Sequence, residues 1–305
     1  MNVLVLGGYG AVGAEIVAEL RDSGDTVLAA GRDPARADRV VDVTDLAGYR
    51  DALSTVDVVV NACGAEDLAL AEIAGEQGAA FVDITATSSY VEELERLEPR
   101  APVLLSVGLA PGLTNLLAAE VHASAPGPVD IVILLGAGEA HGDAAVRWAY
   151  GLLGKPLTDP EGGRIRNYTK GKRFELPGFG RRTVYRADYS DQHALTRDLG
   201  VPVRSYFGTD SRLATAGLAA LTWLPALGGI ASKVHPPGSD RWLILARGQD
   251  GTTRHAHGRG QSHGTAVITA AAVRAVRDLE PGTHHLHRVL SLADLPAGRG
   301  VDLSD

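Results

Sequence analysis

The chain opens with a short apolar segment and closely spaced glycines, Val3-Leu4-Val5-Leu6-Gly7-Gly8-Tyr9-Gly10-Ala11-Val12-Gly13, followed by Ala14-Glu15-Ile16-Val17-Ala18-Glu19-Leu20. The first segment is typical of a buried strand, and the last is typical of an amphipathic helix. A strand, a glycine turn and a helix in this order are typical of a dinucleotide-binding unit. The sequence therefore predicts an α/β protein whose first domain is a Rossmann fold with a doubly wound parallel sheet.

Three of these glycines, Gly8, Gly10 and Gly13, follow the spacing G-x-G-x-x-G. We expect Gly8 to allow the tight turn, Gly10 to let the backbone approach a pyrophosphate, and Gly13 to permit close packing of the helix on the strand. The pattern also occurs in ordinary turns, but here it lies where a strand must end and a helix must begin. The residues expected to contact the cofactor in this turn are Gly8, Tyr9, Gly10, Ala11, Val12 and Gly13.

A base follows the second predicted strand, Thr26 to Ala30, where NAD enzymes usually carry an acid. This base is Arg32, whose forked guanidinium can hold a 2′-phosphate, and Arg36 is near enough to assist. The sequence therefore predicts NADP(H) as the cofactor. Asp33 is open to two interpretations, because it can bond ribose hydroxyls or cap a helix that begins at Pro34.

Asp42 lies in the third predicted strand, Arg39 to Val43. Its carboxylate can accept a hydrogen bond from the adenine amino group, or it can simply cap the next helix. We therefore include Asp42 among the residues expected on the adenosine side of the cofactor. The full set on that side is Arg32, Asp33, Arg36 and Asp42.

The composition is that of an ordinary globular protein. At 305 residues and 45% hydrophobic content, the chain can fill the cores of two domains. The net charge of −8 argues against nucleic acid as a general partner, since phosphate backbones select for basic surfaces. Cys63 is the single cysteine, which excludes an internal disulfide framework. The first strand begins at residue 2 or 3 and leaves no room for a secretory signal, so we expect a cytoplasmic protein.

One segment has the length of a membrane span, because Leu213 to Ser232 carries no charged side chain over 20 residues. Its alanines, glycines, hydroxyl residues and central Pro225 give it a weak tendency to insert into lipid. We therefore expect a buried or interface helix and no membrane span. The helical part, Leu213 to Leu224, either lines the pocket of a partly hydrophobic substrate or forms the interface of a homodimer.

Strand-then-helix units continue to about residue 124 and predict a right-handed parallel sheet. Beyond Ala125-Pro126-Gly127-Pro128 the pattern becomes richer in strands, which indicates an inserted α+β domain for substrate binding and dimerisation. The final helix, Thr265 to Leu279, is expected to pack back on the first domain. The predicted limits are 1–124 for the Rossmann domain, 125–260 for the α+β domain, 261–295 for returning C-terminal helices and 296–305 for a flexible tail.

Motifs at both ends of the chain carry a family resemblance. Besides Gly7 to Gly13, they are Ala30-Gly31-Arg32-Asp33-Pro34-Ala35-Arg36, Val60-Asn61-Ala62-Cys63-Gly64, Ala80-Phe81-Val82-Asp83-Ile84-Thr85, Gly108-Leu109-Ala110-Pro111-Gly112-Leu113-Thr114 and Pro281-Gly282-Thr283-His284-His285. Together they resemble the bacterial saccharopine dehydrogenase-like (saccharopine reductase-like) NADP-binding oxidoreductases. Residues 1–120 match well, the last forty residues moderately and the middle hardly at all. The resemblance implies a Rossmann domain interrupted by an α/β substrate and dimerisation domain, and it leaves the substrate open.

Ligands of open α/β sheets lie outside the carboxyl ends of the strands. Cys63 follows one such strand and can be a nucleophile, but a small residue packed against the cofactor is the favoured interpretation. Next to it the chain departs from the family, since Gly64-Ala65-Glu66 replaces the usual Gly-Pro-Phe or Gly-Pro-Tyr and brings an acid near the nicotinamide end. The residues expected around the nicotinamide are Ala62, Cys63, Gly64, Thr85 and Gly108.

Reduction of a carbonyl or imine requires a proton donor beside the hydride acceptor. His141 is the first candidate, in the glycine-rich loop Gly136 to Asp143, and Tyr150 on the following helix is the second. An ordinary surface or packing role stays open for both. Weaker candidates are His193, Tyr185 and Asp188.

Two further groups of polar residues have simpler interpretations. Between Arg164 and Arg186, eight cations accompany one acid, Glu175, and a solvated hairpin is favoured over a site for a carboxylate-rich substrate. Six histidines have no acid or cysteine at a recognisable metal spacing, so no metal site is predicted. They are His255, His257, His263, His284, His285 and His287.

The sequence as a whole predicts an NADPH-dependent oxidoreductase that transfers hydride to a carbonyl, imine or activated alkene of a small, partly hydrophobic substrate. A non-catalytic NADP(H)-binding redox sensor or regulatory protein is the alternative, because a fold alone does not establish catalysis. The sequence leaves open the physiological substrate, the direction of the reaction and the identity of the proton donor.

Overall fold

The structure is a computed structural model that describes residues 1–139, 143–231 and 238–304. The chain divides into two units. Unit 1 contains Met1–Gly112 and Ser262–Pro296, and unit 2 contains Leu113–Gln261 and Ala297–Asp305.

The elements are numbered in chain order. The strands are β1 (Asn2–Leu6), β2 (Thr26–Gly31), β3 (Arg39–Val40), β4 (Val58–Asn61), β5 (Ala80–Asp83), β6 (Pro102–Leu105), β7 (Val129–Leu135), β8 (Pro156–Thr158), β9 (Arg164–Arg166), β10 (Thr169–Leu176), β11 (Gly180–Arg186), β12 (Val203–Thr209), β13 (Arg241–Gly248), β14 (Thr253–Arg259), β15 (Gly282–His285) and β16 (Val301–Ser304). The helices are α1 (Ala11–Asp22), α2 (Leu46–Ala52), α3 (Leu68–Glu76), α4 (Ser88–Leu94), α5 (Thr114–Ser124), α6 (Asp143–Gly151), α7 (Ser190–Leu199), α8 (Arg212–Leu221), α9 (Gly228–Ala231), α10 (Gln261–Ala275) and α11 (Leu286–Val289).

Unit 1 is built on a sheet with the spatial order β15-β6-β5-β4-β1-β2-β3, in which every neighbouring pair is parallel. The chain adds β2 and β3 on one side of β1 and then returns to add β4, β5 and β6 on the other side. The order therefore reverses between β1 and β4, which is the switch point at which doubly wound sheets bind their ligands. The predicted Rossmann fold is confirmed.

The central strands β1, β4 and β5 are buried on both faces, which explains why they read as apolar runs in the sequence. Residues 3–6 of β1 are each at most 1% exposed. Helix α1 follows the glycine turn and buries Ile16, Val17 and Leu20 on one face. The apolar strand and the amphipathic helix together fix the position of the turn between them.

Unit 2 contains a mixed sheet with the order β10-β11-β12-β7-β13-β14-β16. β7 and β12 run parallel, and the other neighbouring pairs run antiparallel. β8 and β9 form a small antiparallel pair of their own. Helix α5 packs on β7 and β13, and α7 packs on β12. The prediction of a second, α+β part of the chain is confirmed.

The C-terminal residues form a strand rather than the flexible tail expected for 296–305. β16 pairs antiparallel with β14, from His255↔Ser304 to Gly258↔Val301. Val301 is buried in this pairing. In the sequence, Gly298 and Gly300 suggest a frayed end. In the structure, both glycines have positive φ and form the turn that leads into the strand.

The limits of the units differ from the predicted ones at two further points. Helix α5, expected in the first domain, belongs to unit 2 because it packs on the sheet of that unit. The segment expected to return as helices also supplies a strand, since β15 pairs in parallel with β6. That strand, Gly282-Thr283-His284-His285, has no apolar residue and gives no hydrophobic signal.

The uncharged segment after Arg212 is divided into short elements. Helix α8 ends at Leu221, a single 3-10 turn occupies Pro225–Leu227, and α9 follows. Among the residues that the structure describes, no helix combines the length and the apolar character that crossing a bilayer requires.

Candidate functional site

The glycine turn after β1 is packed against strand β2. The N–H groups of Gly7 and Gly8 donate to the carbonyl oxygen of Ala30, with N···O distances of 2.8 and 3.1 Å. The sequence predicts that Gly8 allows the tight turn, and in the structure the residue with the left-handed conformation is its neighbour Gly7, with a φ of +75°. Gly8 is required for a different reason, because a Cβ there would lie 2.6 Å from the Cα of Ala29. The turn thus has no room for side chains on either residue.

Helix α1 begins after Gly10 and passes directly over the turn. A Cβ on Gly13 would lie 2.1 Å from the carbonyl oxygen of Gly7, far inside contact distance. Gly13 therefore has the packing role that the spacing predicts. The first N–H groups of a helix have no acceptor within the helix, so the start of α1 offers donors and a positive dipole end at the carboxyl edge of the sheet. This arrangement fits a pyrophosphate.

Tyr9 connects the glycine turn to the loop after β2. Its hydroxyl accepts a hydrogen bond of 3.0 Å from the N–H of Asp33, and its ring covers Gly31, where a Cβ would lie 2.5 Å from the ring. The guanidinium of Arg36 lies over the same ring at 4.5 Å from its centre and donates to the Tyr9 carbonyl oxygen at 2.7 Å. The structure thus brings Tyr9, Asp33 and Arg36 together, beside the positive end of α1.

The two acids expected on the adenosine side, Asp33 and Asp42, both accept hydrogen bonds from residues of their own turns. Asp33 Oδ1 accepts from the N–H of Ala35 at 3.0 Å, in a turn rather than a helix. Asp42 Oδ1 accepts from the N–H and the hydroxyl of Thr44, and these hydrogen bonds lower the pKa of the Asp42 carboxyl. In contrast, within the described part of the chain no hydrogen bond or ion pair engages the guanidinium of Arg32.

A buried polar network follows strands β4 and β5. Asn61 Nδ2 donates to Asp83 Oδ2 at 2.7 Å and to the carbonyl oxygen of Ala65 at 2.8 Å. Asp83 Oδ1 accepts from the N–H of Thr85 at 2.6 Å. Burial raises the pKa of the Asp83 carboxyl, and the hydrogen bonds from Thr85 and Asn61 oppose that shift. The sequence predicts that the loops beginning at Asn61 and Asp83 surround the nicotinamide, but it gives an individual role to Thr85 and none to Asn61 or Asp83. A polar residue that ends a buried apolar strand is a usable signal for such a role.

Cys63 and Glu66 lie in the loop after β4. Cys63 Sγ lies 3.3 Å from Asn61 Oδ1, and burial raises the pKa of the Cys63 thiol. A raised pKa keeps the thiol protonated, which favours the packing role over a nucleophilic one. Glu66 Oε1 accepts a hydrogen bond of 2.5 Å from the hydroxyl of Thr87. The acid that departs from the family pattern is thus held at the loop surface.

Three polar side chains form a second buried network at the same edge of the sheet. Ser106 Oγ lies 2.9 Å from His285 Nδ1, and His285 Nε2 lies 2.7 Å from Glu95 Oε1. Ser106 directly follows β6, and His285 ends β15, so the parallel pairing of these strands brings them together. We call this the Ser106–His285–Glu95 chain. The sequence analysis missed it, because its members lie far apart in the sequence and β15 has no apolar pattern.

Neither of the two proton donors favoured from the sequence, His141 and Tyr150, belongs to the segments of unit 1. His141 lies outside the described residues. Tyr150 lies half-buried on α6 of unit 2, and burial raises the pKa of its phenol. Of the weaker candidates, His193 Nε2 lies 2.6 Å from Asp188 Oδ1, and His193 borders a cavity of about 320 Å³ in unit 2 together with Asp159 and Arg197.

The basic segment between Arg164 and Arg186 includes the hairpin β10–β11. Not all of its charge is open to solvent, because Arg186 is 3% exposed. Arg186 donates to Asp159 Oδ2 and to Gln192 Oε1, both at 3.1 Å. Arg186 therefore stabilises the interior of unit 2. This role differs from both interpretations of the basic segment, the solvated hairpin and the site for a carboxylate-rich substrate.

Comparison with known proteins gives matches among solved structures. Apo histidine-tagged saccharopine dehydrogenase (L-Glu forming) from Saccharomyces cerevisiae superposes with a TM-score of 0.60 at 14% identity, covering 94% of each chain. DAP dehydrogenase of C. glutamicum, in complex with DAP, has a TM-score of 0.53 at 15% identity and covers 98% of this chain and 96% of that chain. Amine dehydrogenase from Mycobacterium smegmatis has a TM-score of 0.51 at 14% identity, with 96% of both chains covered.

At this level of identity the likeness shows the fold. The fold is that of saccharopine dehydrogenase-like proteins, which confirms the resemblance at the level of architecture. No known family profile matches the chain. No curated protein matches it by sequence either.

Proposed function

We propose that the protein is an NADP(H)-dependent oxidoreductase that transfers hydride between the cofactor and a small, partly hydrophobic substrate. The observation that carries the proposal is the β1–α1 junction, where contacts of 2.1 and 2.6 Å leave no room for a side chain on Gly13 or Gly8. A turn built in this way lets the phosphates approach the backbone at the start of α1. The cofactor, when bound, supplies the hydride, and the chain supplies binding, orientation and the proton.

The residues beyond β2 support NADP(H) over NAD(H). Arg36 is stacked on Tyr9 beside the glycine turn, and Arg32 is the next base at the same strand end. The carboxylates that could bond the ribose hydroxyls, Asp33 and Asp42, accept hydrogen bonds from their own turns. A 2′-phosphate would meet two guanidinium groups here, whereas an unmodified ribose would meet acids of which one oxygen, Oδ1, already accepts hydrogen bonds.

Among the carbonyl, imine and alkene substrates that the sequence leaves open, we favour an imine. An imine forms when an amine is dehydrogenated at the carbon that bears its nitrogen. The three structural neighbours are named as dehydrogenases of saccharopine, DAP and an amine. All three names refer to amines or amino acids. We therefore infer that the substrate is an amine or amino acid, and that its imine is the species reduced.

We also infer a homodimer formed through unit 2. Four large apolar side chains on α8 and the residues after it are strongly exposed: Leu213 at 86%, Trp223 at 63%, Leu224 at 60% and Leu227 at 46%. Apolar side chains that cluster at the surface mark contacts with other proteins. An isologous contact between two copies is the commonest arrangement of this kind.

The cofactor is tested by fluorescence titration of the purified protein with NADPH and NADH. We expect tighter binding of NADPH, and we expect Arg32→Glu to remove that preference because it places a carboxylate where the 2′-phosphate would bind. Arg277→Glu makes the same change of charge at an exposed arginine of unit 1 that belongs to no candidate site, and it should bind like the wild type. Equal affinity for both nucleotides would contradict NADP(H) specificity, and absence of binding would contradict the whole proposal. Binding without turnover of any amine, amino acid, aldehyde or 2-oxo acid would favour the redox sensor instead.

A further inference from the structure

The Ser106–His285–Glu95 chain has a defined direction of hydrogen bonding. A carboxylate only accepts, so His285 Nε2 carries a proton toward Glu95. In the neutral ring, Nδ1 then accepts from the Ser106 hydroxyl; in the charged ring, Nδ1–H donates to the Ser106 oxygen. The fixed ring can therefore take a proton from Ser106 or return one to it at Nδ1, while its Nε2 proton stays directed at the Glu95 carboxylate.

The two ends of the Ser106–His285–Glu95 chain, Ser106 and Glu95, differ in their access to water. Ser106 is 1% exposed and His285 is 2% exposed, so both lie away from bulk solvent. The Glu95 side chain keeps 18% of its surface exposed. The Glu95 carboxylate thus stays partly hydrated, while Ser106 lies at the carboxyl edge of the sheet, where doubly wound folds bind their ligands.

The backbone at Ser106 adds a second observation. Its φ is +58°, in the left-handed region that serine adopts only at some cost. Glycine would adopt this conformation freely, so the hydroxyl is what serine contributes at this position. The loop that follows has Gly108 and Gly112 at positive φ, and it returns close enough that a Cβ on Gly112 would lie 3.1 Å from the Ser106 carbonyl oxygen. The conformation of Ser106 is thus set by its surroundings.

We propose that the Ser106–His285–Glu95 chain is a proton relay for the reaction proposed above, on which this inference rests. In the reducing direction the substrate carbon accepts hydride from NADPH, the π-bond of C=N or C=O breaks, and the heteroatom takes a proton from Ser106 Oγ. Ser106 regains a proton from Nδ1 of the charged His285 ring, which is left neutral with its Nε2 proton still donated to the Glu95 carboxylate. After the product leaves, the ring takes up a new proton at Nδ1 from water through the Ser106 hydroxyl. The products are NADP⁺ and an amine or alcohol, and no other reactant is consumed. Oxidation runs through the same steps in reverse.

The test compares Ser106→Gly with Thr283→Val. Glycine suits the backbone at 106 and removes only the hydroxyl, so the variant keeps the fold. Thr283 lies on the same strand as His285, and valine removes its hydrogen bond of 3.1 Å to the Leu94 carbonyl oxygen without touching the relay. Turnover is assayed with NADPH, ammonium and a panel of aldehydes and 2-oxo acids, and with NADP⁺ and the matching amines and amino acids.

For Ser106→Gly we expect kcat to fall about 10²-fold, the size of effect typical of a lost proton-transfer group. The solvent deuterium isotope effect on kcat should change with it, while the Kd for NADPH stays at the wild-type value. The melting temperature should fall modestly, because the buried His285 Nδ1 loses its hydrogen-bond partner. Thr283→Val should leave kcat and the isotope effect unchanged. A purely structural role for Ser106 would lower the melting temperature but leave kcat and the isotope effect as they are.

Glu95→Gln separates proton transfer from positioning. The glutamine oxygen still accepts from His285 Nε2–H, so the ring keeps its place, but the amide has no negative charge to stabilise the charged ring from which Ser106 takes its proton. A relay predicts a fall in kcat similar to that of Ser106→Gly. A positioning role predicts wild-type kcat.

A measurement independent of turnover uses ¹⁵N NMR of the histidine rings in the full chain without cofactor. The relay requires a proton on His285 Nε2, and it requires the Nδ1 resonance to shift in Ser106→Gly but not in Thr283→Val. A neutral ring protonated at Nδ1 would overturn the relay regardless of activity. Wild-type turnover that Ser106→Gly leaves unchanged would overturn the relay and spare the proposed function. If the wild type binds NADPH but turns over no compound of the panel, the proposed reaction and the relay both fall.

Discussion

Gly13 is the residue at which the β1–α1 junction tolerates the least change. A Cβ there would lie 2.1 Å from the Gly7 carbonyl oxygen and 3.0 Å from the Cα of Gly8, so the backbone itself would have to move. Any side chain on Gly13 must therefore either separate α1 from β1 or distort the turn that the phosphates would approach.

We expect Gly13→Ala to destabilise the protein by about 1–3 kcal/mol or more, as overpacking does, and to abolish NADPH binding. Urea unfolding and fluorescence titration measure the two effects. The matched control is Gly217→Ala inside α8, where nothing lies within 4 Å of the added Cβ. There alanine should stabilise the protein by about 0.5–1 kcal/mol through its helix propensity. Wild-type NADPH affinity in Gly13→Ala would contradict the site.

Asp191 of unit 2 is a second residue with a testable energetic role. It is fully buried, Oδ1 accepts from the Ser205 hydroxyl at 2.8 Å, and burial raises the pKa of its carboxyl above the ordinary value. A raised pKa means that the folded state binds the proton more tightly than the unfolded state. The folded state is thus favoured at low pH and loses this contribution as the pH rises through the raised pKa.

We expect Asp191→Asn to raise stability at neutral pH and to have little effect below the ordinary pKa of aspartate. The amide keeps an acceptor for Ser205 and cannot ionise, so the pH dependence of the unfolding free energy should flatten. Chemical denaturation at a series of pH values measures this. Asp278→Asn, at an exposed position in unit 1, is the control and should leave the profile unchanged. A profile that stays the same in Asp191→Asn would mean that Asp191 does not control it.

At the scale of residues, the sequence predicts spacing better than conformation. It identifies Gly8, Gly10 and Gly13, but φ is decided by the chain on both sides, and the positive value falls on Gly7. It identifies Cys63 as a packing residue, because composition alone makes that the common case. It does not pair Ser106 with His285, since a hydrogen bond that spans 179 residues depends on which strands become neighbours.

At the scale of elements, β16 shows how much a short segment can contribute. Its pairing with β14 covers what would otherwise be an open edge of the unit 2 sheet. Gly258 of β14 packs tightly here, since a Cβ on it would lie 2.2 Å from the Gly300 carbonyl oxygen and 2.6 Å from the ring of Trp242.

Removal of residues 297–305 should therefore lower the melting temperature and expose an edge strand that promotes association. Differential scanning calorimetry and light scattering measure these effects. Leu303→Ser changes an exposed side chain on the same strand and keeps the backbone ladder, so it should shift stability by no more than about 0.5 kcal/mol. A truncated protein that melts like the wild type would show that β16 contributes nothing.

The elements that the sequence predicts well are those with a clear hydrophobic pattern. β1, β4, β5 and β6 are buried on both faces and carry apolar runs, so their positions follow from the sequence alone. β15 is an edge strand with no apolar residue, and β16 is an edge strand whose apolar–polar alternation lasts only four residues after a glycine-rich turn. Their place in the sheets comes from tertiary pairing, which no local rule detects.

At the scale of the whole molecule, self-association follows from the exposed apolar side chains of unit 2. We expect the wild type to sediment as a dimer and Leu213→Glu to sediment as a monomer, because a buried charge without a partner opposes association. Analytical ultracentrifugation distinguishes the two. Arg247→Glu, on an exposed residue of β13, is the control and should remain dimeric. A monomeric wild type would contradict the inferred dimer.

The architecture as a whole was predictable because two independent signals agree. Strand-then-helix units mark the Rossmann part, and the change to strand-rich segments marks the insertion. The limits of the units were not predictable to the residue, since α5 continues the helix pattern of the first part but packs on the sheet of the second. Packing rather than pattern decides to which unit a helix belongs.

The edge position of β15 has a consequence for biosynthesis. On the ribosome, β1 to β6 emerge long before their last partner, because His285 follows Ser106 by 179 residues, and all of the intervening insertion must be translated first. Until β15 is translated, β6 is an unpaired edge strand of a nearly complete sheet, and chaperones or other nascent chains can add a strand to it. The same delayed pairing joins the imidazole to the serine, so a truncated translation product would carry the nucleotide-binding turn but would lack the proton relay.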